Sequence, residues 1–183
     1  MARLVQGLTG IAPQYVVTSG PELFAEMVDA IGVLTVRSRF AFTDSESGLQ
    51  VRRGLNRFDG TEAAAFAGSR ELPGDDFSRS ANQQALLRGI LDQVRSREGE
   101  PGFLEAGAVA AFQGLETELA TTEIYRFSHA IARIDPARVD TCVVGGRPFT
   151  TDDGASVVIP DRAQARALAR DARDDAQLDR GCR

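Results

Sequence analysis

The sequence predicts an α/β domain, a mixed β-sheet with helices layered on it. Three observations carry that expectation. Apolar residues recur at helical spacing, most clearly Leu87, Ile90, Leu91 and Val94 at i, i+3, i+4 and i+7. Between such stretches lie short runs rich in β-branched residues, bounded by glycine, proline and aspartate. And 183 residues, 43% of them hydrophobic, are enough for one domain with a sizeable core.

Taken in order, residues 3–8 read as a helix closed by Gly10, and Tyr15–Thr18 as a short β run. Ser19 with Glu22 three residues on is a capping-box pattern, with Pro21 in the first turn. The helix it opens buries Phe24, Met27, Val28 and Ile31, and Gly32 closes it. Val33–Arg37 reads as a strand, 39–56 as mostly irregular with a turn at 45–48, and Thr61–Ala67 as a short helix. A long helix runs to about Arg97, a polar linker spans 97–102, and a helix follows over Phe103–Leu115. The next helix, Glu123–Ile134, carries Ile124, Phe127, Ile131 and Ile134 on its apolar face. Thr141–Val144 and Ser156–Ile159 read as a hairpin or as two strands of one sheet, and Asp161–Leu178 as a surface helix with a thin stripe of Ala165, Leu168, Ala169 and Ala172.

Composition narrows the functions. The net charge is −5, with basic residues scattered and outnumbered, and no basic recognition helix is apparent, so no nucleic acid is expected as a partner. All 21 basic residues are arginine, which reads first as codon bias. His129 is the single histidine, so a histidine-based metal centre or a Ser–His–Asp triad is not expected, and no metal ligand is assigned. No apolar run reaches the roughly 18 residues that a membrane-spanning helix needs, and no secretory signal opens the chain. The two cysteines, Cys142 and Cys182, are left unassigned as free or paired.

The stretch 66–84, FAGSRELPGDDFSRSANQQ, holds the candidate site. It brings Arg70 to a turn at Pro73–Gly74, then Asp75 and Asp76, then the long helix. Stepping back by fours from Leu87 reaches Gln83 and Arg79, so an arginine and a glutamine continue the core-facing stripe toward the helix N-terminus. Unpaired backbone N–H groups there, with arginine beside them, suit a phosphate. The plain alternative is that Arg79 and Gln83 snorkel at an ordinary helix end capped by Asp76.

Four pieces in fixed order then resemble one family: LTGI with QYV (8–16), ELFAEMVDAIG (22–32), TDSESGLQVRRGLNRFDGTEAAAF (43–66) and SRELPGDDFSRSANQQALLRGIL (69–91). The chain is similar to the LytR–CpsA–Psr proteins of the cell envelope over roughly 5–97, and more loosely through GASVVIPD (154–161). The resemblance implies a central mixed sheet with helices on both faces. It implies transfer of a polyprenyl-pyrophosphate-linked glycopolymer, such as teichoic acid or arabinogalactan, onto a peptidoglycan acceptor with Mg2+ assisting. It implies an extracytoplasmic setting near the membrane. The family's R-x-R pair falls on Gly68 and Arg70, its D-x-x-R element on Asp76 and Arg79, and its pocket glutamine on Gln83; Asn82 stands where a basic residue is common. On this reading Arg70 and Arg79 are catalytic, and Arg70, Asp76, Arg79 and Gln83 bind the substrate. Phe24, Val28, Phe66, Leu87, Ile90 and Leu91 line a lipid groove, although an ordinary core would use the same residues. The family's acidic metal ligands and membrane anchor fall upstream of residue 1, so the N-terminal strands and the Mg2+ ligands are expected to be missing. The domain is expected over 1–160, with 161–183 as a terminal helix and tail. Two alternatives stay open: a non-catalytic module that binds polyprenyl phosphate, and a truncated remnant.

Overall fold

The computed structural model describes residues 2–72, 76–114, 116, 117 and 119–178. Helices and strands are interspersed along them, as expected of an α/β chain, and the strands pair two by two, all antiparallel. Two compact units result, one of 17–139 and one joining 1–16 to 140–183.

Helix α1 (Ala2–Thr9) ends at Gly10, whose φ of +76° is the left-handed conformation glycine adopts freely. Strand β1 (Val17–Thr18) precedes α2 (Pro21–Ile31). The residue that caps α2 is Gly20, and the Ser19 hydroxyl donates to the Gly20 carbonyl, so the expected Ser19–Glu22 box does not form. Val28 and Ile31 are buried along α2, and Gly32 closes it at φ +93°.

Strands β2 (Leu34–Ser38), β3 (Phe42–Thr43), β4 (Gln50–Val51) and β5 (Gly54–Phe58) follow. β2 pairs with β5, Leu34 opposite Phe58, and β3 with β4. The region 39–56, expected to be irregular, thus holds β3, β4 and the start of β5; two-residue strands are too short to show alternation in a sequence. Along β2, Leu34, Val36 and Ser38 face inward and Thr35 and Arg37 outward, the two-residue period of a half-buried strand.

Helix α3 (Gly60–Gly68) carries the capping box that Ser19 lacks. Its Asp59 carboxylate accepts from Glu62 N at 2.9 Å, and Glu62 returns the bond to Asp59 N at 3.1 Å. Gly60 lets α3 lie against α2: a Cβ there would sit 2.0 Å from the Ala25 carbonyl oxygen.

Helix α4 (Asp76–Arg97) packs on a different face from the one its large apolar residues trace. Asn82, Leu86, Gly89 and Val94 are buried, whereas Leu87 is 58% exposed. The reason is Gly89. A Cβ at that position would lie 3.0 Å from the Thr35 carbonyl oxygen, so β2 approaches α4 where a side chain is missing. A stripe read from bulky residues is therefore turned by one residue, about 100°, from the packed face.

Helix α5 (Phe103–Gly114), strand β6 (Glu116–Thr117), paired with β1, and helix α6 (Thr121–Ala132) complete this unit. On α6, Ile124 and Ala132 are buried, but Phe127 and Ile131, and Ile134 just beyond the helix, each stay more than a third exposed. The expected apolar face is only partly covered. The core gathers Val28, Ile31, Leu34, Val36, Phe58, Phe66 and Leu86, with the Phe66 ring 5.1 Å from that of Phe58 and 6.0 Å from that of Phe42.

In the other unit β7 (Gly146–Thr150) pairs with β8 (Ser156–Pro160), and α7 (Arg162–Asp175) buries Ala165 and Ala169 from the expected stripe. The first strand lies five residues beyond the expected 141–144. Thr151 and Ala155 close the turn, with Thr151 N donating to Ala155 O and Gly154 N to Thr151 O. The partner of 156–160 must therefore end at 150, despite Pro148, which an edge strand tolerates. Cys142 takes part in a disulfide; the other cysteine, Cys182, lies outside the described residues.

Candidate functional site

The end of α3 and the start of α4 meet at one place, and the predicted polar residues gather there. Phe66 anchors the approach, fully buried in its ring cluster. The last carbonyls of α3 lack helical partners, and α4 supplies them. Asn82 Nδ2 donates to Phe66 O at 3.3 Å, and Gln83 Nε2 donates to Ala67 O at 3.2 Å. Asn82 thus has a buried structural task, and the Gln83 amide nitrogen is engaged with α3 at the surface.

Three charged groups converge beyond that contact. Asp76 Oδ1 lies 2.8 Å from Arg79 Nη2 and 3.6 Å from Arg70 Nη2. The oxygen is shielded from solvent but makes no well-directed hydrogen bond, so the arrangement is an ion pair held by proximity. The side chains of Arg70, Asp76 and Arg79 are 62%, 44% and 29% exposed. Ion pairs this open contribute about 0–1 kcal/mol. Charge-assisted hydrogen bonds from a guanidinium to a phosphate are worth about 1.5–3 kcal/mol each. An anionic ligand can therefore take the place of the Asp76 carboxylate as partner of both arginines. The expected turn at Pro73–Gly74, with Asp75, lies outside the described residues.

A second layer went unnoticed in the sequence. The turn between β3 and β4 holds Asp44, which is buried. Its carboxylate accepts from Ser47 N at 2.9 Å and Ser47 Oγ at 2.6 Å. Burial, the largest single influence, pushes this carboxyl up, but the hydrogen bonds it accepts, those from Ser47 among them, together hold it below its ordinary value. The neighbouring Ser45 donates both its N–H, at 3.0 Å, and its hydroxyl to Glu71 Oε1. Those bonds likewise lower the Glu71 carboxyl. The available signal was the D-x-x-S spacing of Asp44 and Ser47, the pattern of a side chain closing its own turn.

The six residues expected to line a lipid groove separate. Val28 and Phe66 are fully enclosed in the core, and Phe24 packs against it. Leu91 is half-buried and Leu87 exposed. Ile90 lines a cavity of about 110 Å³ with Met27, Ile31, Val94, Phe103 and Leu104. Its walls are almost wholly apolar, and it is smaller than the roughly 150 Å³ void that admits one benzene. A larger concavity, of about 680 Å³, lies between α4 and the outer face of β2 and β5, where Arg37, Arg88 and Asp92 make it polar.

For Mg2+, the donor set is poor. Among the described residues no three acidic, histidine or cysteine side chains gather. Asp76, the carboxylate closest to the arginines, is already shared between two guanidiniums. These residues do not fit the ion. Among the described residues no helix is long and apolar enough to cross a membrane.

The fold is an α/β domain in which two arginines flank a carboxylate at the start of α4. The chain matches the LytR_cpsA_psr family over residues 1–174 and belongs to that family. It is 33% identical over 90 residues to the polyisoprenyl-teichoic acid–peptidoglycan teichoic acid transferase TagU of Bacillus subtilis, covering 49% of this chain and 29% of that protein. It is 28% identical over 178 residues to the cell wall biosynthesis protein LcpA of Corynebacterium glutamicum, covering 94% of this chain and 34% of that one. The chain therefore spans about a third of these curated relatives. Its fold is similar to the crystal structure of Bacillus subtilis TagV, with a TM-score of 0.75 at 20% identity over 93% of this chain and 68% of the other. It is also similar to the LytR-Csp2A-Psr enzyme from Actinomyces oris, with a TM-score of 0.69 at 19% identity over 88% and 64%.

Proposed function

We propose that this chain supplies the pyrophosphate-binding end of a transferase that moves a polyprenyl-pyrophosphate-linked glycopolymer onto peptidoglycan in the cell envelope. The observation that carries the reading is the convergence of Arg70 and Arg79 on one displaceable carboxylate, Asp76. Family membership and the teichoic acid transfer named for TagU support the choice of anion.

In that role the two guanidiniums take the diphosphate oxygens that Asp76 occupies in their place. A hydroxyl of the acceptor attacks the phosphorus that bears the glycan. Its bond to the bridging oxygen breaks, polyprenyl monophosphate leaves, and the hydroxyl proton is released. Charge then builds on the departing phosphate, and fixed arginines stabilise that charge most. The Gln83 amide, held by Ala67 O, stands on the same side of α4 as Arg79 and contributes its carbonyl oxygen to a sugar or acceptor hydroxyl. The prenyl chain would lie along the apolar surface that includes Leu87, Ile90 and Leu91.

The test is titration of farnesyl diphosphate into the protein and into Arg79→Ala. Loss of one guanidinium should weaken binding by about 1.5–3 kcal/mol, roughly 10- to 150-fold. Equal affinity in both proteins would remove the proposed role of Arg79.

A second reading, binding without transfer, is favoured by one observation. Gly68 has no side chain to offer, and Asn82 spends its amide on Phe66 O inside the fold, so neither replaces an arginine. Tight binding of the lipid diphosphate with no glycan transfer to peptidoglycan would select this reading.

A further inference from the structure

Arg70 is mostly exposed, yet the residues on either side of it are tied to the fold, one through its backbone and one through its side chain. Before it, Ser69 is buried and its N–H closes α3 onto Ala65 O at 3.0 Å. After it, Glu71 receives two hydrogen bonds from Ser45, through the N–H and the hydroxyl, across 26 positions of sequence. Ser45 belongs to a turn that is itself fixed. Asp44 N donates to Leu49 O at 2.8 Å, Gly48 N donates to Asp44 O at 2.9 Å, and Ser47 closes on the Asp44 carboxylate. The β3 strand before the turn stacks Phe42 on Phe66, the residue from which α3 leads to Arg70.

We propose that Glu71, gripped by Ser45, is a positioning residue that sets Arg70 for the anion. This rests on the reading of Arg70 and Arg79 as the pyrophosphate grip. The bonds to Ser45 tether the residue after Arg70 through its side chain, which keeps the guanidinium near Asp76 and Arg79. Without them Arg70 samples more conformations, and more of its ordering falls to the ligand.

The sign of the effect separates this role from a simple electrostatic one. A carboxylate beside an anion site repels the ligand, so by charge alone its removal tightens binding. The clamp predicts the reverse for Glu71→Ala and keeps Glu71→Gln competent, because the amide oxygen still accepts from Ser45.

Farnesyl diphosphate affinity is measured on the full chain and on Glu71→Ala, Glu71→Gln, Ser45→Ala, Arg70→Ala, Arg79→Ala and the double variant Arg70→Ala/Glu71→Ala. Thermal unfolding is followed alongside to establish that each variant folds. Glu71→Ala should weaken binding roughly three- to tenfold, and Ser45→Ala should weaken it less. Glu71→Gln should bind at least as well as the parent. In the Arg70→Ala background, Glu71→Ala should change nothing further, since it acts through Arg70. Glu71→Ala that binds as tightly as the parent or tighter, or losses that simply add in the double variant, would overturn the clamp while leaving the arginine reading standing. If Arg70→Ala and Arg79→Ala both bind like the parent, the pyrophosphate reading falls and the clamp falls with it.

Discussion

The packed seam under α3 and the open cluster at the start of α4 lie a few residues apart and are built on opposite rules. In the seam, contacts leave no slack: Phe66 is enclosed by Phe58 and Phe42, and Gly60 and Gly89 bring backbones within reach of each other. In the cluster, three charged side chains, each partly exposed, form two ion pairs at 2.8 and 3.6 Å. The first arrangement resists change and gives rigidity. The second is cheap to rearrange, which is what a ligand site needs. The difference teaches where an assigned lipid-lining residue belongs. Phe66 and Leu87 share a chemistry, but one is enclosed and the other is 58% exposed.

Replacing Phe66 should have the largest effect. Phe66→Ala empties the ring cluster and should cost about 3–5 kcal/mol in denaturant unfolding. The matching Leu87→Ala should leave stability nearly unchanged. If Phe66→Ala kept its stability and lost only lipid affinity, the seam would have to be redrawn as a ligand wall. Gly60→Ala should come next. Its Cβ would meet a backbone oxygen at 2.0 Å, so α3 must lift from α2, at an overpacking cost of about 1–3 kcal/mol. A parent-like unfolding midpoint for Gly60→Ala would mean that the two helices already slide.

On the open side the expected change is in affinity. Asp76→Asn removes the charge that competes with the ligand for both arginines. Inorganic pyrophosphate should then bind roughly three- to tenfold tighter at low salt, with the gain shrinking as salt rises. Weaker binding would make Asp76 an organiser of the arginines rather than their stand-in ligand.

Much of this was legible in the sequence, and the misses have physical causes. Gly32 as a helix stop and the strand at 34–38 are local signals that local structure obeys. The meeting of Arg70, Asp76 and Arg79 was also legible, because helical spacing puts the last two on one side and the short connection delivers the first. The face of α4 was not. A glycine adds nothing to an apolar stripe, yet Gly89 decides which side packs. Nor was the Ser45–Glu71 contact, since nothing local to either residue reveals a hydrogen bond 26 positions away.

The smallest expected effect tests whether the turn behind Arg70 depends on charge. The Asp44 carboxyl is held below its ordinary value of 3.8 because, although burial opposes ionisation, the hydrogen bonds it accepts, those from Ser47 among them, together favour it more strongly. A depressed folded pKa stabilises the fold fully above the unfolded value, and that stability is lost as pH falls through the folded pKa. Asp44→Asn keeps an oxygen that accepts from Ser47 but cannot ionise. The stability gap between parent and variant should therefore be flat from about pH 7 to about pH 5, then close at pH values below 3.8. Taking the difference between the two proteins cancels the other carboxylates that titrate in the same range, Glu71 among them. A gap that widened on acidification would mean that Asp44 is held neutral in the fold, and the turn that carries Ser45 would then owe its shape to β3 and β4 alone.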